Sequence, residues 1–159
     1  MNTTQRAPAL EPFDALIGTW ATEARHRLLD AVVPGTTTFE WLEGGQFLVQ
    51  RSQSDHELLP DGICVIGAPE DGDGLVMEYF DSRGVRRTYD ISIEDGVLRI
   101  WRDAPGFDQR FWARLADDSF EGVFQLATTP GEWEDDLTVT YRRLDWPRAV
   151  SVESSRGDD

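Results

Sequence analysis

The chain has 159 residues, 40% of them hydrophobic and 11% aromatic, enough for one domain with a sizeable core and too apolar for disorder. Its 30 acidic residues against 15 basic ones leave a formal charge of -15, a field that repels nucleic acid and anionic membrane. Every basic residue is Arg, which excludes Schiff-base and lysine-nucleophile chemistry and fits a bacterial, GC-rich coding bias.

Cys64 is the sole cysteine, so an intramolecular disulfide is ruled out and a reducing compartment is suited. The opening residues 1–8 lack the apolar run of a signal peptide, and no apolar run reaches membrane-spanning length. The expectation is a soluble cytoplasmic protein. Residues 1–8 read as a flexible arm, 9–146 as a single domain and 147–159 as a polar tail.

Taken in order, Ala9 to Ile17 is the only early helical candidate. Pro12 suits a first helical turn, and Phe13, Leu16 and Ile17 share a face, which makes it a plug rather than a free-standing helix. Gly18 to Leu28 then alternates as a first strand. Trp20, Thr22, Ala24, His26 and Leu28 point one way, and charged residues such as Glu23 and Arg25 point the other.

Turn residues punctuate the rest. Strands are expected at Thr36 to Glu43, Gln46 to His56, Ile63 to Gly67, Leu75 to Phe80 and Val85 to Ile93. A tight hairpin at Glu94-Asp95-Gly96 leads to Val97 to Arg102. Phe107 to Leu115, Ser119 to Ala127 and Glu132 to Leu144 complete the set. The fold class is all-β. Closure into a ten-stranded antiparallel up-and-down β-barrel with a short N-terminal helical plug removes the exposed sheet edges. A two-sheet sandwich is the alternative.

At Leu16-Ile17-Gly18-Thr19-Trp20 the chain resembles the calycin superfamily of lipocalins, fatty-acid-binding proteins and their bacterial relatives. The resemblance implies that Gly18 and Trp20 open the barrel after a plug. It also implies that a basic residue of the last strand, Arg142 or Arg143, packs over the Trp. Within that superfamily, Trp41-Leu-Glu-Gly-Gly-Gln-Phe-Leu48 and Tyr79-Phe-Asp-Ser-Arg-Gly84 look like stretches of a ten-stranded bacterial group that includes nitrobindin-like proteins. Fatty-acid-binding proteins carry a helical lid between the first two strands, and here only Leu29 to Gly35 is available. They tend to place Arg two before Tyr on the last strand, where this chain has Val139 before Tyr141. Nitrobindin-like proteins hold haem through a His near the C-terminus. The histidines here are His26 and His56, so haem is not implied.

Strand parity collects an inward set. Met77 and Tyr79 share a face, as do Arg87 and Tyr89, Arg99 and Trp101, Gln109 and Phe111, and Trp133, Leu137, Val139 and Tyr141. Of these, Met77, Tyr79, Arg87, Tyr89, Arg99, Trp101, Phe111, Trp133 and Tyr141, together with His26, are the expected ligand-binding residues. Aromatics mixed with Arg, Gln and His describe a lined cavity better than a dry core, where an unpaired guanidinium is costly. The favoured reading is a small-molecule binding protein that encloses an apolar or aromatic ligand. The alternative is an isomerase or cyclase with His26 as the acid-base group. Haem or metal binding ranks third, because two His and one Cys on separate strands match no zinc spacing. No cofactor is expected, and a homodimer through exposed strands is compatible with the pattern.

Overall fold

The computed structural model describes residues 7–70 and 72–144. A 3-10 helix, Pro8–Leu16, precedes ten strands: β1 Gly18–His26, β2 Val33–Trp41, β3 Leu48–Ser54, β4 Gly62–Gly67, β5 Leu75–Asp81, β6 Arg86–Glu94, β7 Val97–Arg102, β8 Asp108–Arg114, β9 Ser119–Ala127 and β10 Glu134–Arg143. Each strand pairs antiparallel with the next, and β10 returns to pair with β1, which closes the barrel. Of the arm expected over residues 1–8, residues 1–6 lie outside the described residues, as does the tail expected over 147–159, while Pro8 already begins the helix.

The helix carries its apolar residues Leu10, Phe13 and Leu16 inward, all fully buried, across one end of the barrel. It is held there from both sides of its own sequence. The Ala7 N–H donates to the Gly45 carbonyl of the β2–β3 turn, and the Trp20 indole Nε1–H donates to the Leu16 carbonyl at 2.9 Å. Trp20 is completely buried and meets Phe120 edge-on at 5.0 Å, while Phe120 stacks on Tyr141 at 4.6 Å. Such aromatic contacts add to the burial of their area.

Arg143, rather than Arg142, covers Trp20. Its guanidinium lies 4.1 Å from the indole centroid and donates to the carbonyls of Ile17, Ala15 and Asp117. Arg142 has the opposite parity and is exposed. Gly18 is required by this arrangement: its φ is +126°, and a Cβ there would lie 2.9 Å from the Arg143 guanidinium.

Three local features differ from the sequence expectations. β2 begins at Val33 instead of Thr36 because Pro34 is tolerated near a strand start, opposite Glu23, where its carbonyl accepts from Asp55. The turn at Asp95-Gly96 places both residues at positive φ, 54° and 76°, and pairs Glu94 directly with Val97. That fixes Ile93 opposite Leu98, so Leu98, Ile100 and Arg102 face inward, and Arg99 and Trp101 face out. β10 carries a bulge between Asp135 and Leu137. The extra residue reverses the parity of what precedes it. Trp133 therefore lies on the outer surface, where the Arg110 guanidinium stacks over it at 4.0 Å.

Truncating Trp20 to Ala removes the largest fully buried side chain and the clasp to Leu16 and Arg143 together. The expected cost is about 3–5 kcal/mol. Denaturant unfolding checks it: an unchanged midpoint would contradict the role given to this residue.

Candidate functional site

The inner wall changes character along the barrel axis. Near the plug it is dry: Trp20, Phe39, Leu48, Ile66, Ile91, Leu98, Ala113 and Phe120 are buried. The middle is formed by Cys64, Met77, Tyr89, Phe111 and Tyr141, also buried. Toward the far end the inward positions become partly exposed and mixed, with Ser52, Tyr79, Arg87, Ile100, Arg102, Gln109, Phe124 and Leu137. A small residue makes room for a large one here. The tip of the Phe111 ring lies against Gly122, where any Cβ would collide with it, and the ring meets Phe124 at 4.4 Å.

Of the residues expected inside, His26, Met77, Tyr79, Arg87, Tyr89, Phe111 and Tyr141 occupy inward register positions. Arg99, Trp101 and Trp133 do not, for the reasons of register given above. His26 is at the open end and is tied into local structure. Its Nδ1 accepts from the Leu28 N–H at 3.1 Å, and its Nε2 is 3.4 Å from Asp136, the residue of the β10 bulge. Both ring nitrogens thus have work in holding the β1 end against β10.

A polar cluster that parity alone does not reveal stands at the same end. Asp81 closes the turn Asp81-Ser-Arg-Gly84. Its carboxylate accepts from the Arg83 guanidinium at 2.6 Å, from the Tyr79 hydroxyl at 2.6 Å, and from the N–H groups of Arg83 and Val85. The Arg83 hydrogen bond is the main cause that holds this carboxyl far below the usual carboxylate range, with the Tyr79 and backbone donors adding to it. Burial pushes the Tyr79 phenol up, and the charge and hydrogen bond of Asp81 push it further. Desolvation likewise raises Tyr141 and moves the Cys64 thiol to about 12. Such a thiol is a packing group and not a nucleophile. The signal that could have found this cluster is the Asp-x-Arg-Gly turn itself, since Asp readily accepts from amides two residues on.

Two depressions mark the outer wall. One, of about 500 Å³, lies over β2–β5 between Thr38, Arg51, Ile63 and Phe80. The other, of about 460 Å³, lies over β7 and β8 between Arg99, Trp101, Arg110 and Trp112. Both are open grooves; the first reaches Ser52 and Asp81 at the open end, and the second is lined by residues of β7 and β8 only. No group of His, Cys, Asp and Glu among the described residues is placed to hold a metal ion. Among the described residues no helix is long and apolar enough to cross a membrane.

No family model matches the sequence, and no curated protein matches it. Solved structures do. The crystal structure of Rv2717c from M. tuberculosis superimposes with a TM-score of 0.64 over 88% of this chain and 99% of its own, at 15% identity. Fatty-acid-binding protein 1 of Echinococcus granulosus superimposes with a TM-score of 0.58 over 82% of this chain and 98% of its own, also at 15% identity. The fold is therefore a calycin-like, fatty-acid-binding-protein-like barrel.

Two measurements test this description of the inner wall. Asp81→Ala should destabilise the protein by about 1–3 kcal/mol at neutral pH by orphaning its donors. Because the folded carboxyl titrates below its unfolded value, its contribution is present above about pH 4 and is lost as pH falls. The gap between variant and parent should therefore close in acid; a gap that is constant with pH would contradict the cluster. In alkaline absorbance titration, two of the three tyrosines, Tyr79 and Tyr141, should ionise only above the ordinary phenol range near pH 10. The stability their neutral forms confer is present below that range and is lost as pH rises through it. Ionisation of Tyr79 and Tyr141 near pH 10 in the folded protein would be the contrary result.

Proposed function

We propose that this chain is a small-molecule binding protein that holds an apolar or aromatic ligand in the open half of its barrel. The observation that carries the reading is the gradient of the inner wall. An end packed with Leu10, Phe13, Leu16 and Trp20 gives way, beyond the buried Phe111, to a partly exposed wall where Phe124, Ile100 and Leu137 adjoin Tyr79, Gln109 and Ser52. Apolar walls with a few convergent polar groups are the common make-up of ligand sites. The structural likeness to a fatty-acid-binding protein supports the same class of ligand.

The alternative of an isomerase or cyclase rests on His26 as acid-base group. The contacts of its two ring nitrogens with Leu28 and Asp136 support a structural part for it instead, so binding is the reading preferred. Haem is not proposed, since the sequence has no histidine beyond His56. A closer kinship with the nitrobindin-like group is inferred from the Trp41–Leu48 and Tyr79–Gly84 stretches alone. A cytoplasmic setting goes with the lone, buried Cys64.

Native mass spectrometry of freshly purified protein should show a copurified mass, or else one-to-one uptake of a neutral apolar dye such as N-phenyl-1-naphthylamine. Leu137→Trp fills the open half from its inner wall and should abolish that uptake, whereas Thr138→Trp, on the outer face, should leave it unchanged. Equal uptake by both variants would place the dye outside the barrel and overturn the reading.

A further inference from the structure

Both histidines of the chain begin the same short sequence, His-x-Leu-Leu: His26-Arg27-Leu28-Leu29 between β1 and β2, and His56-Glu57-Leu58-Leu59 between β3 and β4. The two stretches fold alike. In each, the histidine Nδ1 accepts the N–H of the first leucine at 3.1 Å, and the histidine carbonyl accepts the N–H of the second at 2.9 Å. The first leucine is exposed, Leu28 by 74% and Leu58 by 53%, while the second, Leu29 or Leu59, is half-buried and packs against the core. The tips are neighbours at the open end of the barrel. β2 and β3 pair as far as Gly35 and Ser54, and the Asp55 N–H then donates to the Pro34 carbonyl at 3.2 Å.

An Nδ1 that accepts from an amide carries no proton, so both rings are neutral with their hydrogen on Nε2. Imidazole is the side chain that gains charge between roughly pH 8 and 5. The incoming proton has only Nδ1 to occupy, and there it sets a donor against the N–H of Leu28 or Leu58. The hydrogen bond is lost and two donors face each other. The charged rings have other partners. Asp136 of β10 is 3.4 Å from the His26 Nε2, with Glu134 on the same strand, Asp30 on the His26 tip, and Arg27 held by both β10 carboxylates. His56 has Asp55 and Glu57 as chain neighbours and Asp61 across its tip, where that carboxylate accepts the Ser54 N–H at 3.1 Å. Acid thus transfers each ring from a leucine turn to a carboxylate.

On the footing of the binding reading above, we propose that the two His-x-Leu-Leu tips are one acid-sensitive latch on the mouth of the barrel. Neutral His26 and His56 hold Leu29 and Leu59 inward at the open half, and protonation of both rings frees the tips and lets the ligand leave. Asp81 takes no part in this range, because its carboxyl titrates well below it.

N-phenyl-1-naphthylamine stays neutral across the range, so its binding reports the titration of the protein alone. The parent should bind it about tenfold more weakly at about pH 5.5 than at about pH 7.5, the scale of two lost hydrogen bonds. In the double variant His26→Asn with His56→Asn, a side-chain amide oxygen replaces Nδ1 as acceptor and takes no proton. That variant should bind the dye equally in both buffers, as tightly as the parent does in the less acidic one. The double variant His26→Ala with His56→Ala lacks the acceptor throughout and should bind in both buffers as weakly as the parent does in acid. A parent affinity that is the same in both buffers, an Asn variant that keeps the parent's response, or an Ala variant as tight as the parent would overturn the latch and leave the binding reading standing. Failure of the parent to bind the dye in either buffer would overturn both.

Discussion

The guanidinium of Arg143 is where the ends of the chain's fold meet. It stacks on Trp20 of β1 and donates to the carbonyls of Ile17, Ala15 and Asp117. One side chain thus joins the last strand, the first strand, the plug and the β8–β9 turn. Barrel closure by β1 and β10 supplies backbone hydrogen bonds, but those alone do not fix which residues seal the end. The cation does so, because four groups converge on it and hydrogen bonds to a charged donor are roughly twice as strong as neutral ones. Gly18 is part of the same device, since a side chain there would displace the guanidinium.

The rest of the interior follows from that seal. With Leu10, Phe13, Leu16 and Trp20 filling one end, apolar burial is concentrated there and supplies much of the stability. The opposite end is relieved of that duty. It can carry serine, glutamine, tyrosine and arginine on its inner face, held in place by strands whose registers the other end secures. Asp81 shows how this works locally. It gathers Arg83, Tyr79 and two backbone amides into one tight turn, so the rim of the open end is rigid where β5 leaves the barrel.

Much of this was legible in the sequence, and the failures have identifiable causes. The alternation of β1 and the placement of Tyr141 already imply Arg143 over Arg142, since Tyr141 and Arg143 share a face. The outward position of Arg99 and Trp101 was also implicit. A two-residue turn at Asp95-Gly96 with Ile93 inward forces Leu98 inward, and phasing β7 on its aromatic residue overlooked that constraint. Arg102 escaped notice for the same reason. Trp133 was not recoverable this way, because the Asp135–Leu137 bulge has no glycine or proline to announce it. The partnership of His26 with Asp136 depends on that bulge and was hidden with it. The Tyr79–Asp81–Arg83 cluster was missed because parity arguments follow strands, and its chemistry is built by a turn.

The central proposal is that the open half of the barrel takes the ligand while the plugged half is solid. A high-resolution crystal structure of the protein as purified tests this most directly. Continuous non-protein density bounded by Tyr79, Phe111, Phe124 and Leu137, or ordered water there when no ligand is retained, is the result expected. An inner wall that closes on itself at that level, with Arg87 and Arg102 both turned out to bulk solvent, would contradict the claim.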